Sequence, residues 1–171
     1  NEDDGLIWTN QYSSEANPLI HFQQTAQEIL YELPHVDYIF IGAGTTGTLV
    51  GCSKHIKEFS PNTKIIAVDS IGSVTFGFKA SARFIPGLGT SKRPPICDTQ
   101  HIDETLLVSE KDAVKMCHFM LDKYGLFLGG SSGSVLEAVR AYKDKIPNDA
   151  CVVALSPDFG DKYISTIYNP E

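Results

Sequence analysis

The chain has 171 residues, 42% of them apolar, and 14 basic against 21 acidic side chains leave a formal charge of −7. That length and apolar content suffice for one buried core. The acidic balance argues against a nucleic-acid surface, and the absence of any apolar stretch near ~18 residues or of a signal-like amino terminus argues against membrane insertion or secretion. The four cysteines, Cys52, Cys97, Cys117 and Cys151, lack CxxC spacing, and three of them lie in apolar runs. They read as buried reduced thiols of a cytoplasmic protein rather than zinc ligands or disulfides.

In chain order, strand-like runs fall at 6–10, 38–42, 64–69, 105–108, 126–128 and 151–155, with helical patterns between them. Pro18 precedes a helical run over 21–32. A second helix has Leu49, Cys52, Ile56 and Phe59 on one face, and a third has Ala113, Cys117, Met120, Leu121 and Tyr124. Alternating strands and helices imply a three-layer α/β fold, a mostly parallel sheet with helices on both faces and ligands at the carboxyl edge of the strands. The whole of 1–171 reads as a single α/β domain, since no Pro/Ser-rich linker divides it. The irregular stretch 70–103 is too long for a simple connection and reads as a functional loop.

Three loops follow strand-like runs. At 38–48, YIFIGAGTTGT breaks from an apolar strand into a glycine- and threonine-rich turn that opens a helix. Glycines let the backbone approach an anion, successive N–H groups converge on it, and the helix dipole adds attraction. Gly42, Gly44 and Gly47 also spell GxGxxG, and Asp69 closes the next apolar run, so a dinucleotide could equally be the ligand. At 126–136, LFLGGSSGSVL repeats the strand-turn-helix order, with Gly129, Gly130 and Gly133 around Ser131 and Ser132. At 155–166, LSPDFGDKYIST follows another apolar run. A serine-capped helix explains the second loop structurally as well as a ligand does.

These three segments together resemble the fold-type II pyridoxal phosphate enzymes, the family of cysteine synthase and cystathionine β-synthase, over nearly the whole chain. GTTGT at 44–48 is similar to the family's phosphate loop GTGGT; GGSSGS at 129–134 is similar to the loop whose first serine hydrogen-bonds the pyridine nitrogen; SPDFGDKYIST is similar to its carboxyl-terminal PDxGxxYLST signature. The resemblance implies pyridoxal 5'-phosphate as cofactor, held by Gly44, Thr45, Thr46, Gly47, Thr48 and Ser131. Gly87, Leu88 and Gly89 would then border the substrate; Tyr12, near the end of the first strand-like run on the same edge, could contact it or be a structural aromatic, and Asp158 could be a pocket residue or a helix cap. A serine facing the ring nitrogen, in place of aspartate, leaves that nitrogen unprotonated and favours α,β-elimination. GSVTFG at 72–77 and RFIPGLGTSKRP at 83–94 most resemble the branch that joins O-phosphoserine to glutamate on the way to 2,3-diaminopropionate, a siderophore and antibiotic precursor. Cysteine synthase is the runner-up.

The resemblance also has gaps. The family's Schiff-base lysine and its TSGN-like substrate loop have no counterpart here, and Thr46 stands where the second glycine of GTGGT is usual. The chain therefore reads as the carboxyl-terminal portion of a longer two-domain enzyme, inactive alone and carrying no catalytic residue of its own. Its expected partners are amino-acid substrates, the amino-terminal portion of the same enzyme and a second copy in a homodimer. Arg83, Lys92 and Arg93 in the long loop offer a cationic cluster that could steer an anionic substrate, although a solvated cluster is the simpler reading. The five histidines carry no ligand spacing. A nicotinamide-dependent oxidoreductase domain and a non-catalytic anion-binding module stay open as alternatives.

Overall fold

A computed structural model describes residue 5 and residues 7–169. Four parallel strands, β1 (Tyr38–Gly42), β2 (Lys64–Ser70), β3 (Glu104–Val108) and β4 (Val152–Ala154), form one sheet in the order β3-β2-β1-β4. The central pair β1 and β2 is apolar on both faces, as a parallel sheet covered on both sides requires. Side chains alternate across the pleat. Ile39, Ile41, Ile65 and Ala67 therefore enter one core, with Leu49, Cys52 and Ile56, while Tyr38, Phe40, Ile66 and Val68 enter the other, with Ala113, Val135 and Ala138.

The first core is covered by α1 (Ala16–Ile20), α2 (Ala26–Glu32) and α3 (Gly47–Phe59), the second by α4 (Glu110–Tyr124) and α5 (Gly130–Tyr142). The result is the three-layer α/β architecture read from the alternation of elements. Helix α4 has both ends specified by sequence: the Ser109 hydroxyl accepts the Asp112 N–H at 3.1 Å, and Gly125 closes the helix in the left-handed region at φ 68°. Helices α1 and α2 are joined by a π-type turn, His21–Thr25, in which the Ala26 N–H reaches back to the His21 carbonyl. Against this turn Gly51 of α3 packs so closely that an added Cβ would meet the Pro18 carbonyl and lie 2.8 Å from His21 Cβ. Only a glycine lets these two helices approach in this way.

Some sequence expectations are corrected. The strand expected at 6–10 is absent over residues 7–10, and Leu6 lies outside the described residues. In its place the Asn10 carbonyl accepts the N–H groups of Ser13 and Ser14, both at 3.0 Å, which turns the chain into α1. The helix predicted at 21–32 begins earlier, at Ala16, because Pro18 in a first turn needs no intrahelical donor. The run 126–128 makes only a single antiparallel bridge, Leu128 with Phe159. Phe59 and Tyr124, assigned to buried faces, sit at helix ends and are largely exposed, and Met116 joins Ala113 and Cys117 inside instead. Cys52, Cys97 and Cys117 are buried free thiols and Cys151 is half-buried. No helix among the described residues is long and apolar enough to cross a membrane.

Candidate cofactor site

Strand β1 sends its successor β2 to one side and receives β4 on the other, so the crevice at their carboxyl ends is the topological switch point of the sheet. A cleft of about 390 Å³ opens there. Its base is Ile41, Gly42, Val135 and Leu155; one wall is Gly44, Thr45, Thr46, Gly47 and Thr48; another is Gly87, Leu88 and Gly89; Ser131 faces in from α5 and Tyr12 from the rim. Nearly every residue singled out from the sequence meets here, although they come from segments far apart in the chain.

The GTTGT wall begins helix α3. Thr46 adopts φ 73°, in the left-handed region, and no side chain caps the helix. Among the described residues, the N–H groups of Gly44, Thr45, Thr46 and Thr48 have no protein acceptor, and Gly47 N–H has only the Thr45 hydroxyl at 3.5 Å. A helix start with four unpaired donors and a positive dipole end is built for a phosphate. Thr46 Oγ1 is buried without a hydrogen-bond partner, with the Cys97 thiol nearby. Among the described residues no charged side chain lines the cleft, so what they offer a ligand there is dipoles and hydroxyls.

Two residues behind this wall carry parts that sequence reasoning missed. Asn17 lies over Gly47 and donates through Nδ2 to the Gln11 carbonyl at 2.8 Å and the Thr45 hydroxyl at 3.1 Å, tying the rim to the phosphate loop. His21 meets the Thr48 hydroxyl through Nε2 at 3.1 Å and the Thr25 hydroxyl through Nδ1 at 2.9 Å, and burial lowers its pKa. Nothing in the sequence spacing linked Asn17 or His21 to residues 45–48.

The opposite wall is a strained turn, with Gly87 at φ 96° and Gly89 at φ 75°. Gly89 N–H donates to the Ala43 carbonyl at 2.8 Å, and a Cβ on Gly44 would stand 2.7 Å from the Gly87 carbonyl, so the turn and the phosphate loop lock together. Arg83 holds the turn from behind through Nη1 to the Leu88 carbonyl at 3.0 Å and Nη2 to the Ser91 hydroxyl at 3.1 Å. Arg93 Nη2 donates to the Cys97 carbonyl at 3.2 Å. Neither arginine nor Lys92 lines this cleft. Asp69 is fully buried, its Oδ1 accepting the Ser70 N–H at 2.8 Å, and burial raises its pKa against the Ser73 and Ser70 hydrogen bonds and the Arg83 charge. It lies under the Gly89 turn, where it cannot reach the ribose that a dinucleotide would bring.

Ser131 stands in the first turn of α5, only 5% exposed and within the cleft. Its neighbour Ser132 is withdrawn, donating to the Asp158 carbonyl at 3.3 Å and accepting from Ser156 Oγ at 2.9 Å. Asp158 follows Pro157, which borders the cleft. It does not line the cleft; its carboxylate is drawn away by the Tyr163 hydroxyl, which donates to Oδ2 at 2.9 Å. Burial, followed by this contact with Asp158, pushes the Tyr163 phenol up to about 12.

The geometry fits pyridoxal phosphate: unpaired donors at one end for the phosphate, and a hydroxyl across an apolar slot for the ring nitrogen. Comparison with known proteins agrees. A family model described as pyridoxal-phosphate dependent enzyme matches residues 1–158. Among solved structures, an O-acetylserine dependent cystathionine β-synthase from Helicobacter pylori is 28% identical, with a TM-score of 0.86, over 92% of this chain and 52% of that one. An O-ureido-L-serine synthase is 26% identical, with a TM-score of 0.92, over 97% of this chain and 54% of that one. A hydrogen sulfide-producing enzyme from Fusobacterium nucleatum is 31% identical, with a TM-score of 0.84, over 90% of this chain and 53% of that one. The chain thus spans about half the length of each structure. With a family model matched over most of its length and a cleft shaped for that cofactor, the chain belongs to the pyridoxal-phosphate dependent enzymes.

Proposed function

We propose that this chain is the cofactor-cradling portion of a pyridoxal phosphate-dependent β-replacement synthase that eliminates a leaving group from an activated serine and adds a nucleophile in its place. The observation that carries the reading is the pair of uncapped helix starts, α3 and α5, facing one slot with unpaired N–H donors on one side and Ser131 on the other. Gly44 to Thr48 would hold the phosphate, each charge-assisted hydrogen bond contributing about 1.5–3 kcal/mol. Ser131 would orient the ring through its nitrogen, and the Gly87 to Gly89 turn with Tyr12 would border the substrate. Bound there, pyridoxal phosphate supplies an electron sink for chemistry at the α-carbon of an amino acid. Among the described residues no lysine lines the cleft. The Schiff-base lysine would come from an amino-terminal portion of the same two-domain enzyme. That portion would also cover β4, which pairs on one side only and leaves Val152, Val153 and Ala154 half-exposed.

Within this class the reaction is O-phosphoserine plus glutamate giving N-(2-amino-2-carboxyethyl)-L-glutamate, in a cytoplasmic homodimer serving 2,3-diaminopropionate synthesis. The resemblance of the 83–94 loop supports this choice. Of the three solved structures named above, one is named as O-acetylserine dependent and one as an O-ureido-L-serine synthase, both names carrying O-substituted serines. Glutamate's carboxylates find no cation among the cleft-lining residues, so their partners would lie beyond this chain. The test is the full-length enzyme. It is expected to show the visible absorbance of a lysine-bound pyridoxal, lost on borohydride reduction, and to convert O-phosphoserine and glutamate to that product by mass. Cysteine formed from sulfide, with glutamate inert, would favour the cysteine synthase reading; tight NAD retention without the absorbance would overturn both.

A further inference from the structure

The carboxyl-terminal PDFGDKY segment has no contact with the cleft through its carboxylate, yet it is bound closely to the start of α5. Gly129, the residue before that helix, has no side chain to cap it, and its N–H donates to the Asp158 carbonyl at 3.0 Å. Ser132, next to Ser131, donates to the same carbonyl at 3.3 Å. The Asp158 carboxylate itself lies against Gly129 Cα, in the space a side chain there would fill. Its Oδ2 accepts the Tyr163 hydroxyl at 2.9 Å, and its Oδ1 is buried without a partner. Tyr163 is buried, and its hydroxyl stands behind the slot without touching the other wall: even a Cβ built on Gly87 would lie 4.0 Å from that oxygen, 3.9 Å from Ser131 Cβ and 4.0 Å from Ser131 Oγ. One phenol and one carboxylate thus back the α5 side of the slot.

We propose that Asp158 and Tyr163 are positioning residues that hold Ser131 at the ring nitrogen of the cofactor, a role that rests on the reading of the cleft given above. A carboxylate beside a helix start is drawn to its unpaired N–H groups. The Tyr163 hydroxyl takes one carboxylate oxygen and so keeps the group below Gly129. Without that hydroxyl the carboxylate turns into the first turn of α5 and moves Ser131 off the ring. The phosphate loop, on another helix, is untouched.

The test uses the full-length enzyme and compares its affinity for pyridoxal phosphate with that for the analogue whose ring nitrogen is replaced by carbon. Wild type is expected to prefer the natural cofactor, because only it accepts from Ser131. In Tyr163→Phe that preference is expected to fall about tenfold, to the level of Ser131→Ala, the worth of one hydrogen bond. Affinity for inorganic phosphate is expected to stay at the wild-type value. Asp158→Asn is expected to act in the same direction, and if it fails to fold, Tyr163→Phe decides alone. A Tyr163→Phe enzyme that keeps the full preference, or loses both ligands equally as its thermal stability falls, overturns the proposal while leaving the function reading intact. Wild type that binds neither ligand overturns that reading.

Discussion

The starts of α3 and α5 look alike in sequence and differ in their surroundings. Both follow strand-like runs, both are rich in glycine and hydroxyl residues, and neither has a side-chain cap. At α3 the N–H groups of residues 44–46 and 48 are without acceptors among the described residues, and the backbone turns through a left-handed Thr46 where these residues line the cleft. At α5 the same kind of helix start is backed by Asp158, and one of its two serines is tied down, leaving Ser131 as the group presented. An open helix start suits a dianion; a helix start with a carboxylate behind it suits a neutral ring atom. On the proposed reading, the two ends of one cofactor would be matched by the degree to which each helix end is already satisfied.

Breaking the α3 side is expected to have the largest effect. Gly44→Val would drive a side chain into the Gly87 carbonyl and push the phosphate loop from the turn that locks it. With two or more charge-assisted hydrogen bonds lost at about 1.5–3 kcal/mol each, cofactor affinity should fall by more than about 100-fold, measured by equilibrium dialysis of the full-length enzyme. Ser131→Ala should cost about tenfold for pyridoxal phosphate and nothing for inorganic phosphate, which separates the two ends directly.

Asn17→Ala should loosen the phosphate loop by removing the bonds to Gln11 and Thr45, a loss of about 1 kcal/mol read as a several-fold rise in the cofactor dissociation constant. The smallest effect concerns His21. Burial lowers its pKa from 6.5, so below that value the unfolded chain binds the extra proton and the folded chain resists it. The stability is fully present above 6.5 and is lost as the pH falls toward the folded value. Thermal unfolding between about pH 8 and pH 5 should therefore fall more steeply in wild type than in His21→Gln.

The sheet was legible because its signal is local. A run such as YIFIG followed by GTTGT states strand, turn and helix start within a few residues, and β1, β2 and α3 lie where that pattern places them. Leu126 to Leu128 carry the same apolar content, but pairing depends on a distant partner, and Phe159 offers only one bridge. The site divides in the same way. Residues 44–48 and 131 were readable because glycine and hydroxyl spacing near a helix start reflects the chemistry of one turn. Asn17 and His21 were not, since their partners Thr45 and Thr48 are remote in sequence and are reached only once α1 packs on Gly51. For Asp158 the motif left a pocket role and a helix cap open, because a motif does not show which way a carboxylate points; the Tyr163 hydroxyl holds it away from the cleft.

The most direct measurement is a crystal structure of the full-length enzyme with pyridoxal phosphate. The phosphate oxygens should lie about 3 Å from the N–H groups of residues 45–48, with the ring nitrogen at hydrogen-bond distance from Ser131 Oγ. A phosphate held elsewhere, or a ring whose nitrogen faces away from α5, would contradict the account.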